Sequence, residues 1–189
     1  QVHAFEPAPE TYRYLTENLE KNGLNNVAPV CGCLLDFDGE APLYLNHSAA
    51  LPFSSSNIAG YRDAKLALTA SAMKIDTYAE MNNLPPIDLI KIDAEGNDHL
   101  VLKGAKGVLE RDQPLIICEV LHEDTDRLLN TVLEGSNYRY YMITDDGLVE
   151  QHSILGDNAY RYRNFLFLPA GKADRVLEGI SPTGAGRLP

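Results

Sequence analysis

A doubly wound α/β fold, with a mostly parallel sheet and helices on both faces, is predicted by three features of this 189-residue sequence. Segments of strand character alternate with segments of helical period. One strand segment, IDLIKID, is apolar almost throughout, as strands covered on both faces are. Acidic residues gather where several of these strands stop, which is where such sheets bind their ligands.

The chain opens on QVHAF, a short strand that runs straight into Glu6 and Pro7. Pro9 suits a first helical position. Beyond it Tyr12, Leu15 and Leu19 share one face, Glu17 and Lys21 stand four apart, and Asn22-Gly23 supplies a left-handed stop. VAPVCGCL, residues 27–34, reads as one strand at the border of the sheet, because Pro29 cannot donate to a central ladder. Within it Cys31 and Cys33 alternate around Gly32 and read as small packed residues on one side. Asp38-Gly39 marks a turn, and EAPLYL after it reads as the return arm of a hairpin. Residues 47–60 hold no sustained period and read as an exposed loop of the kind that carries substrate contacts. Residues 66–75 are a strand, and Thr77-x-x-Glu80 fits a capping box that opens a short helix ended by Pro85-Pro86.

After IDLIKID, the residues Val101, Ala105 and Val108 recur with a helical period over 98–109, and PLIICEV, residues 114–120, is a buried strand. A third helix follows, with Glu123 and Asp124 near its start and Leu128, Leu129, Val132 and Leu133 as its apolar stripe before Gly135. YRYYMI and NFLFLP have no helix between them, which predicts an antiparallel C-terminal strand pair. One α/β domain is therefore expected over residues 1–170, with a loose tail over 171–189.

Composition narrows the function. Sixteen Lys and Arg against 27 Asp and Glu give a net charge of −11, a field that repels phosphate backbones and anionic lipid and argues against nucleic acid as a partner. The 3 cysteines are odd in number and lack a C-x-x-C pair, which speaks for a reducing, cytoplasmic setting. No apolar stretch approaches the ~20 residues of a membrane span.

Glu6, Asp93, Glu95 and Glu119 all fall at or just past strand carboxyl ends, and hence on one rim of the expected sheet. Glu6 has the position and charge to accept both hydroxyl protons of a ribose, or simply to favour the N-terminus of the helix at Pro9. Asp93 can cap the next helix. Asn97 or Asp98 is an adequate cap alone, which leaves Asp93 and Glu95 for chemistry beside a glycine, Gly96, that permits a tight turn. Glu119 with His122 repeats the pattern one strand later, and a histidine near carboxylates suits a general base at neutral pH. Asp93, Glu95, Glu119 and His122 are residue types that hold cations, but their spacing specifies no metal. The ten tyrosines cluster in SNYRYYM and AYRYRNF, as half-buried strand positions or as the lining of a cleft.

The segment VHAFEPAPETYRYLTENLEKNGLNN resembles the second strand and following helix of FkbM-type methyltransferases. IDLIKIDAEGNDHLVLKGAKGVLERDQPLIICEV is similar to the family's I-D-L-x-K-I-D-x-E-G core, with V-L-K-G-A and a strand ending in E-V after it, and NFLFLP also fits. The resemblance implies a Rossmann-like class I methyltransferase fold, S-adenosylmethionine as cofactor, and O-methylation of a hydroxyl on a small molecule such as a sugar or polyketide. By the same resemblance Glu6, with Pro7 beside it, holds the cofactor ribose. The backbone around Gly32, Cys33 and Leu34 lies beside the adenine, and Asp93 and Glu95 face the methyl group and the acceptor. From the residues themselves rather than the resemblance, a carboxylate or the histidine of the rim, Glu119 or His122, is expected to receive the hydroxyl proton.

One departure is large. Family members begin with a central strand and a glycine-rich turn that cradles the methionine end of the cofactor, whereas the glycines before Asp36 are here only Gly23 and Gly32. The expectation is of an N-terminally incomplete domain with its first central strand missing. A gap between QVHAF and IDLIKID would leave ladder groups unpaired and open to self-association as a homo-oligomer. Such a piece alone would bind S-adenosylmethionine weakly or not at all. A noncatalytic binding module that keeps the fold is the alternative. A nucleotide-dependent oxidoreductase shares the acid after the second strand but leaves D-A-E-G unexplained.

Overall fold

The computed structural model describes residues 1–45, 55–56 and 65–180. The loop read as substrate-bearing, residues 47–60, lies outside the described residues except for Ser55–Ser56. The chain forms two compact units, the first from Gln1–Pro85 with Ala94–Gly107, the second from Pro86–Asp93 with the chain from Val108 on.

In the first unit β1 (Val2–Phe5) leads into α1 (Pro9–Lys21), which crosses over to β2 (Val27–Val30), parallel to β1. Gly23, at φ 63, provides the left-handed stop, and Leu24 N–H bonds back to Leu19 O at 3.0 Å. Pro29 sits on β2, which pairs on one side only among the described residues. The expected single strand over residues 27–34 is two. Gly32 N–H donates to Glu6 O at 3.2 Å, prolonging the β1–β2 ladder, and the chain then enters a second sheet as β3 (Cys33–Leu34). Glycine suits that passage, since a Cβ at residue 32 would lie 3.0 Å from Ser71 O.

The second sheet of this unit runs β3-β6-β4-β5, with β4 over Gly39–Leu45, β5 over Ser55–Ser56 and β6 over Lys65–Met73. β3 pairs with β6 in parallel, and β4 is antiparallel to β6. The stretch after Asp38-Gly39 is thus no return arm. It pairs with a strand that arrives later in the chain. Leu43 and Ala70 pack with Ala8, and Ala41 and Ala72 pack with Leu35, so one face of this sheet is covered within the unit, while Pro42, Thr69 and Ser71 on the other face are exposed.

The helix α2 begins at Ile75 and ends at Met81, so Thr77 does not open it. Its first turn is held instead by Asp38, whose carboxylate accepts Lys74 N–H and the Thr77 hydroxyl, each at 2.9 Å. The helix expected over 98–109 is likewise two, α3 (Asp98–Lys103) and α4 (Lys106–Asp112). Gly104 between them lies so close to β3 that a Cβ would stand 2.0 Å from Leu35 O. The glycine of V-L-K-G-A is therefore a packing requirement.

The second unit is built on the sheet β10-β9-β11-β8-β7. β7 (Leu89–Ile92) and β8 (Leu115–Glu119) are parallel. β11 (Asn164–Pro169) is antiparallel to both β8 and β9 (Tyr138–Thr144), which confirms the antiparallel reading of the final strands, and β10 (Gly147–Gln151) adds a hairpin that the polar sequence after Gly147 concealed. Because β11 lies between two neighbours, Phe165, Phe167 and Leu168 are fully enclosed, each contributing roughly 1.5–3 kcal/mol. α5 (Thr125–Val132) buries Leu129, while Leu128 of the expected stripe faces outward. Residues 171–180, expected to belong to a loose tail, instead lie in α6 (Ala170–Ile180), anchored by Ala173 beneath Leu166 and Leu168.

The α/β class stands. Strand pairing is mixed rather than mostly parallel: among the described residues β1·β2, β3·β6 and β7·β8 are parallel, whereas β4·β5, β4·β6, β8·β11, β9·β11 and β9·β10 are antiparallel. The reason is that the last three strands are joined by a hairpin and by a helix-free loop, so crossover geometry is not imposed on them.

Candidate active site

At the end of β1, the Glu6 backbone stays in the ladder, its N–H bonding to Val30 O at 3.1 Å. Its side chain accepts Ala8 N–H at 2.8 Å, which ties it to the start of α1. Among the described residues this is the carboxylate's one hydrogen bond. Burial pushes the Glu6 carboxyl above its usual range, and the Ala8 bond offsets only part of that. A half-buried carboxylate with acceptor capacity to spare gains from hydroxyl donors. Pro7 is half-buried, Gly32 is buried against Glu6 O and Ser71, and Cys33 and Leu34 are half-buried. Cys33 Sγ donates to Ser71 O at 3.4 Å, and burial pushes its thiol up. Cys31, read as its packed companion, is exposed.

At the end of β7 the motif D-A-E-G-N-D folds into a reversed turn. Asn97 N–H bonds to Ala94 O at 3.0 Å, and the two residues between, Glu95 and Gly96, have φ of 49 and 86. Positive φ at both central positions is the pattern of a type I′ turn, which favours Gly or Asn, so a glutamate at the first position is a strained choice. Asp98 and Asn97 secure the turn from beneath. Asp98, 1% exposed, accepts Ala94 N–H at 3.2 Å, and Asn97 Nδ2 donates to Ala94 O at 2.9 Å. Neither makes the simple cap expected of it, since Asn97 occupies the cap position without a side-chain cap bond. Asp93 and Glu95 are left exposed, Asp93 paired with Lys91 at 3.2 Å.

At the end of β8, Glu119 is mostly enclosed and paired with Arg163 at 3.1 Å, so the rim carboxylate read from sequence comes with a cation already against it. His122 follows in a turn packed tightly on the loop after β10. A Cβ on Gly156 would stand 2.5 Å from His122 N, and the Tyr160 hydroxyl donates to His122 O at 3.0 Å. Nδ1 of His122 is shut off from solvent and lies 3.8 Å from Oδ2 of Asp126. Asp126 itself escaped the sequence reading. The available signal was the His-x-x-x-Asp spacing, which places the two one helical turn apart. Arg163, at the opposite end of the loop, carried no local signal.

Glu6, Pro7, Gly32, Cys33, Leu34 and Glu95 thus belong to the first unit, and Asp93, Glu119 and His122 to the second. Among the described residues no group of three or more His, Cys, Asp or Glu is arranged to hold a metal ion. No described helix is long and apolar enough to cross a membrane.

A family model described as "Methyltransferase FkbM domain" matches residues 1–140. The chain belongs to the FkbM methyltransferase family. The hexuronic acid methyltransferase AglP of Haloferax volcanii is 29% identical over 113 residues, covering 58% of this chain and 43% of that protein. The crystal structure of methyltransferase FkbM from Methylobacillus flagellatus KT shares the fold, with a TM-score of 0.57 at 16% identity, covering 89% of this chain and 36% of that one. The FkbM domain seen here therefore spans less than half the length of either.

Proposed function

We propose that this FkbM domain serves an S-adenosylmethionine-dependent enzyme that methylates a hydroxyl of a sugar. The observation that carries the cofactor is Glu6: a half-buried carboxylate at a strand end, held by Ala8 N–H and raised by desolvation, has the donor-seeking character that a ribose diol satisfies. Pro7 and the backbone of Gly32, Cys33 and Leu34 complete the nucleoside side, where buried Gly32 presents no side chain. The cofactor supplies an electrophilic methyl group when bound. Within the second unit, Asp93 and His122 are the residues we assign to the acceptor side, His122 taking the hydroxyl proton and Glu119, fixed by Arg163, supporting it. The sugar class is supported by the relative that acts on hexuronic acid.

The test is a calorimetric titration of the full-length protein with S-adenosylhomocysteine. Glu6→Ala should raise Kd at least about tenfold, ~1.4 kcal/mol. An unchanged Kd overturns the ribose role.

A further inference from the structure

We propose that Asp126 is the positioning residue of His122, fixing the imidazole with its proton on Nδ1 so that the opposite nitrogen, Nε2, is the base that accepts the hydroxyl proton. This rests on the reading of His122 as proton acceptor and names the residue that makes it one.

The geometry is one-sided. Nδ1 is enclosed, and the accessible 26% of the His122 side chain therefore lies away from that nitrogen. Among the described residues Nδ1 has no hydrogen-bond partner, and the carboxylate that faces it at 3.8 Å belongs to a residue only 3% exposed. Pairs of this kind often stand long without ligand and tighten when the reactants are in place. An enclosed nitrogen opposite a carboxylate oxygen is far more favourable as N–H than as a bare lone pair, because the latter would set two acceptors against each other in a poorly solvated spot.

Both oxygens of Asp126 accept from the backbone around it. Oδ2 takes Glu123 N–H at 3.1 Å and Gly156 N–H at 3.4 Å, and Oδ1 takes Arg127 N–H at 2.7 Å. Glu123 reaches its place by adopting φ 58, and Thr125 fastens the same turn by accepting Leu121 N–H at 2.8 Å on its hydroxyl. On the far side Asn130 clamps the loop of Gly156, donating to Ile154 O at 2.6 Å and accepting Ile154 N–H at 3.1 Å. A buried carboxylate aimed by two loops at one ring nitrogen exceeds what helix capping requires. Asp157 contributes negative charge toward the same imidazole, but it is committed to the backbone N–H groups of Ala159, Arg161 and Tyr162. The remaining carboxylates of this turn, Glu123 and Asp124, are exposed.

In the step itself the acceptor O–H bond breaks toward Nε2. Its electron pair stays on oxygen and forms the bond to the methyl carbon, while the pair of the breaking carbon–sulfur bond remains with sulfur. His122 leaves as imidazolium, stabilised by Asp126, and returns its proton to water.

The experiment is nitrogen-15 NMR of the histidine-labelled full-length protein, wild type and Asp126→Asn, combined with steady-state kinetics. We expect neutral His122 to carry its proton on Nδ1 in the wild type. In Asp126→Asn the proton should shift toward Nε2, with kcat reduced by about 10²- to 10⁴-fold and KM little changed. Should Asp126→Asn unfold, the wild-type tautomer decides alone, and His122→Gln, expected to fold, should lose kcat to a similar degree. A wild-type proton on Nε2, or an Asp126→Asn protein that folds, keeps its tautomer and keeps its kcat, overturns the proposal. That outcome leaves the function reading intact if Glu6→Ala still weakens cofactor binding, whereas loss of the function reading would show as wild-type protein that fails to bind S-adenosylhomocysteine.

Discussion

The turns that follow β7 and β8 are built with the same device and put to opposite ends. Each places a glutamate at positive φ, Glu95 at 49 and Glu123 at 58, and each braces it with a buried aspartate that accepts a backbone N–H from the turn, Asp98 from Ala94 and Asp126 from Glu123. After β7 the brace holds carboxylates outward, where Asp93 and Glu95 are exposed. After β8 the brace itself faces an enclosed imidazole, and the carboxylate on the strand, Glu119, is neutralised by Arg163. The difference teaches that an acidic residue at a strand end is not a site by virtue of its position. What separates scaffold from candidate chemistry is whether the carboxylate is consumed by backbone donors, paired with a cation, or left with capacity to spare.

The largest effect that would break this comparison is expected at Gly156. Its replacement by alanine drives a Cβ into the backbone of His122, with contacts of 2.5 and 2.7 Å to N and Cα, and neither loop yields cheaply because both are hydrogen-bonded. Urea unfolding of Gly156→Ala should show a loss of about 3 kcal/mol. Next comes the brace after β7: Asp98→Ala leaves the half-buried Ala94 N–H without its acceptor and should cost about 1 kcal/mol in the same assay.

Glu95 sharpens the contrast from the other side. Glu95→Gly removes a side chain from the left-handed region and should raise stability by about 1 kcal/mol while lowering kcat, the mark of strain retained for function. A loss of stability would make Glu95 a structural residue.

The smallest expected effect concerns acid pH and Glu6. Its carboxyl is raised above 4.5 by burial, so between 4.5 and the raised value the folded protein binds more protons than the unfolded chain, and this group's contribution to stability falls as pH rises through that window. Ribose hydroxyls favour the ionised form. Cofactor affinity should therefore climb severalfold on going upward from pH 4.5 and then level off, and Glu6→Gln should flatten that rise in a pH series of titrations.

Much of this was legible in sequence, wherever a local pattern sufficed. The period of α1, its Pro9 start and Gly23 stop, the strand β7 and the D-A-E-G turn all follow from residues near one another, but β7 buries only Ile90 and Ile92 and leaves Leu89 exposed, so its apolar run does not mark a strand covered on both faces. What escaped depends on distant partners. Residues 27–34 break because Gly32 bonds to Glu6, the start of α2 is held by Asp38 from across the chain, and the helix after the turn stops at Gly104 because Leu35 O lies against it. β4 finds β6 rather than its predecessor, a choice that no turn residue encodes. The candidate site divides the same way: Glu6, Asp93 and Glu95 announce themselves by position, whereas the enclosure of Nδ1 and the partner of Glu119 appear only once β11 and its loop are in place.

The most direct measurement is transfer of an isotopically labelled methyl group from S-adenosylmethionine to a uronic acid sugar by the full-length protein, followed by mild alkali. The account expects the label to be incorporated as an alkali-stable ether, with a markedly higher cofactor requirement in Glu6→Ala. Failure to incorporate label, or label released by alkali as from a carboxyl ester, would contradict it.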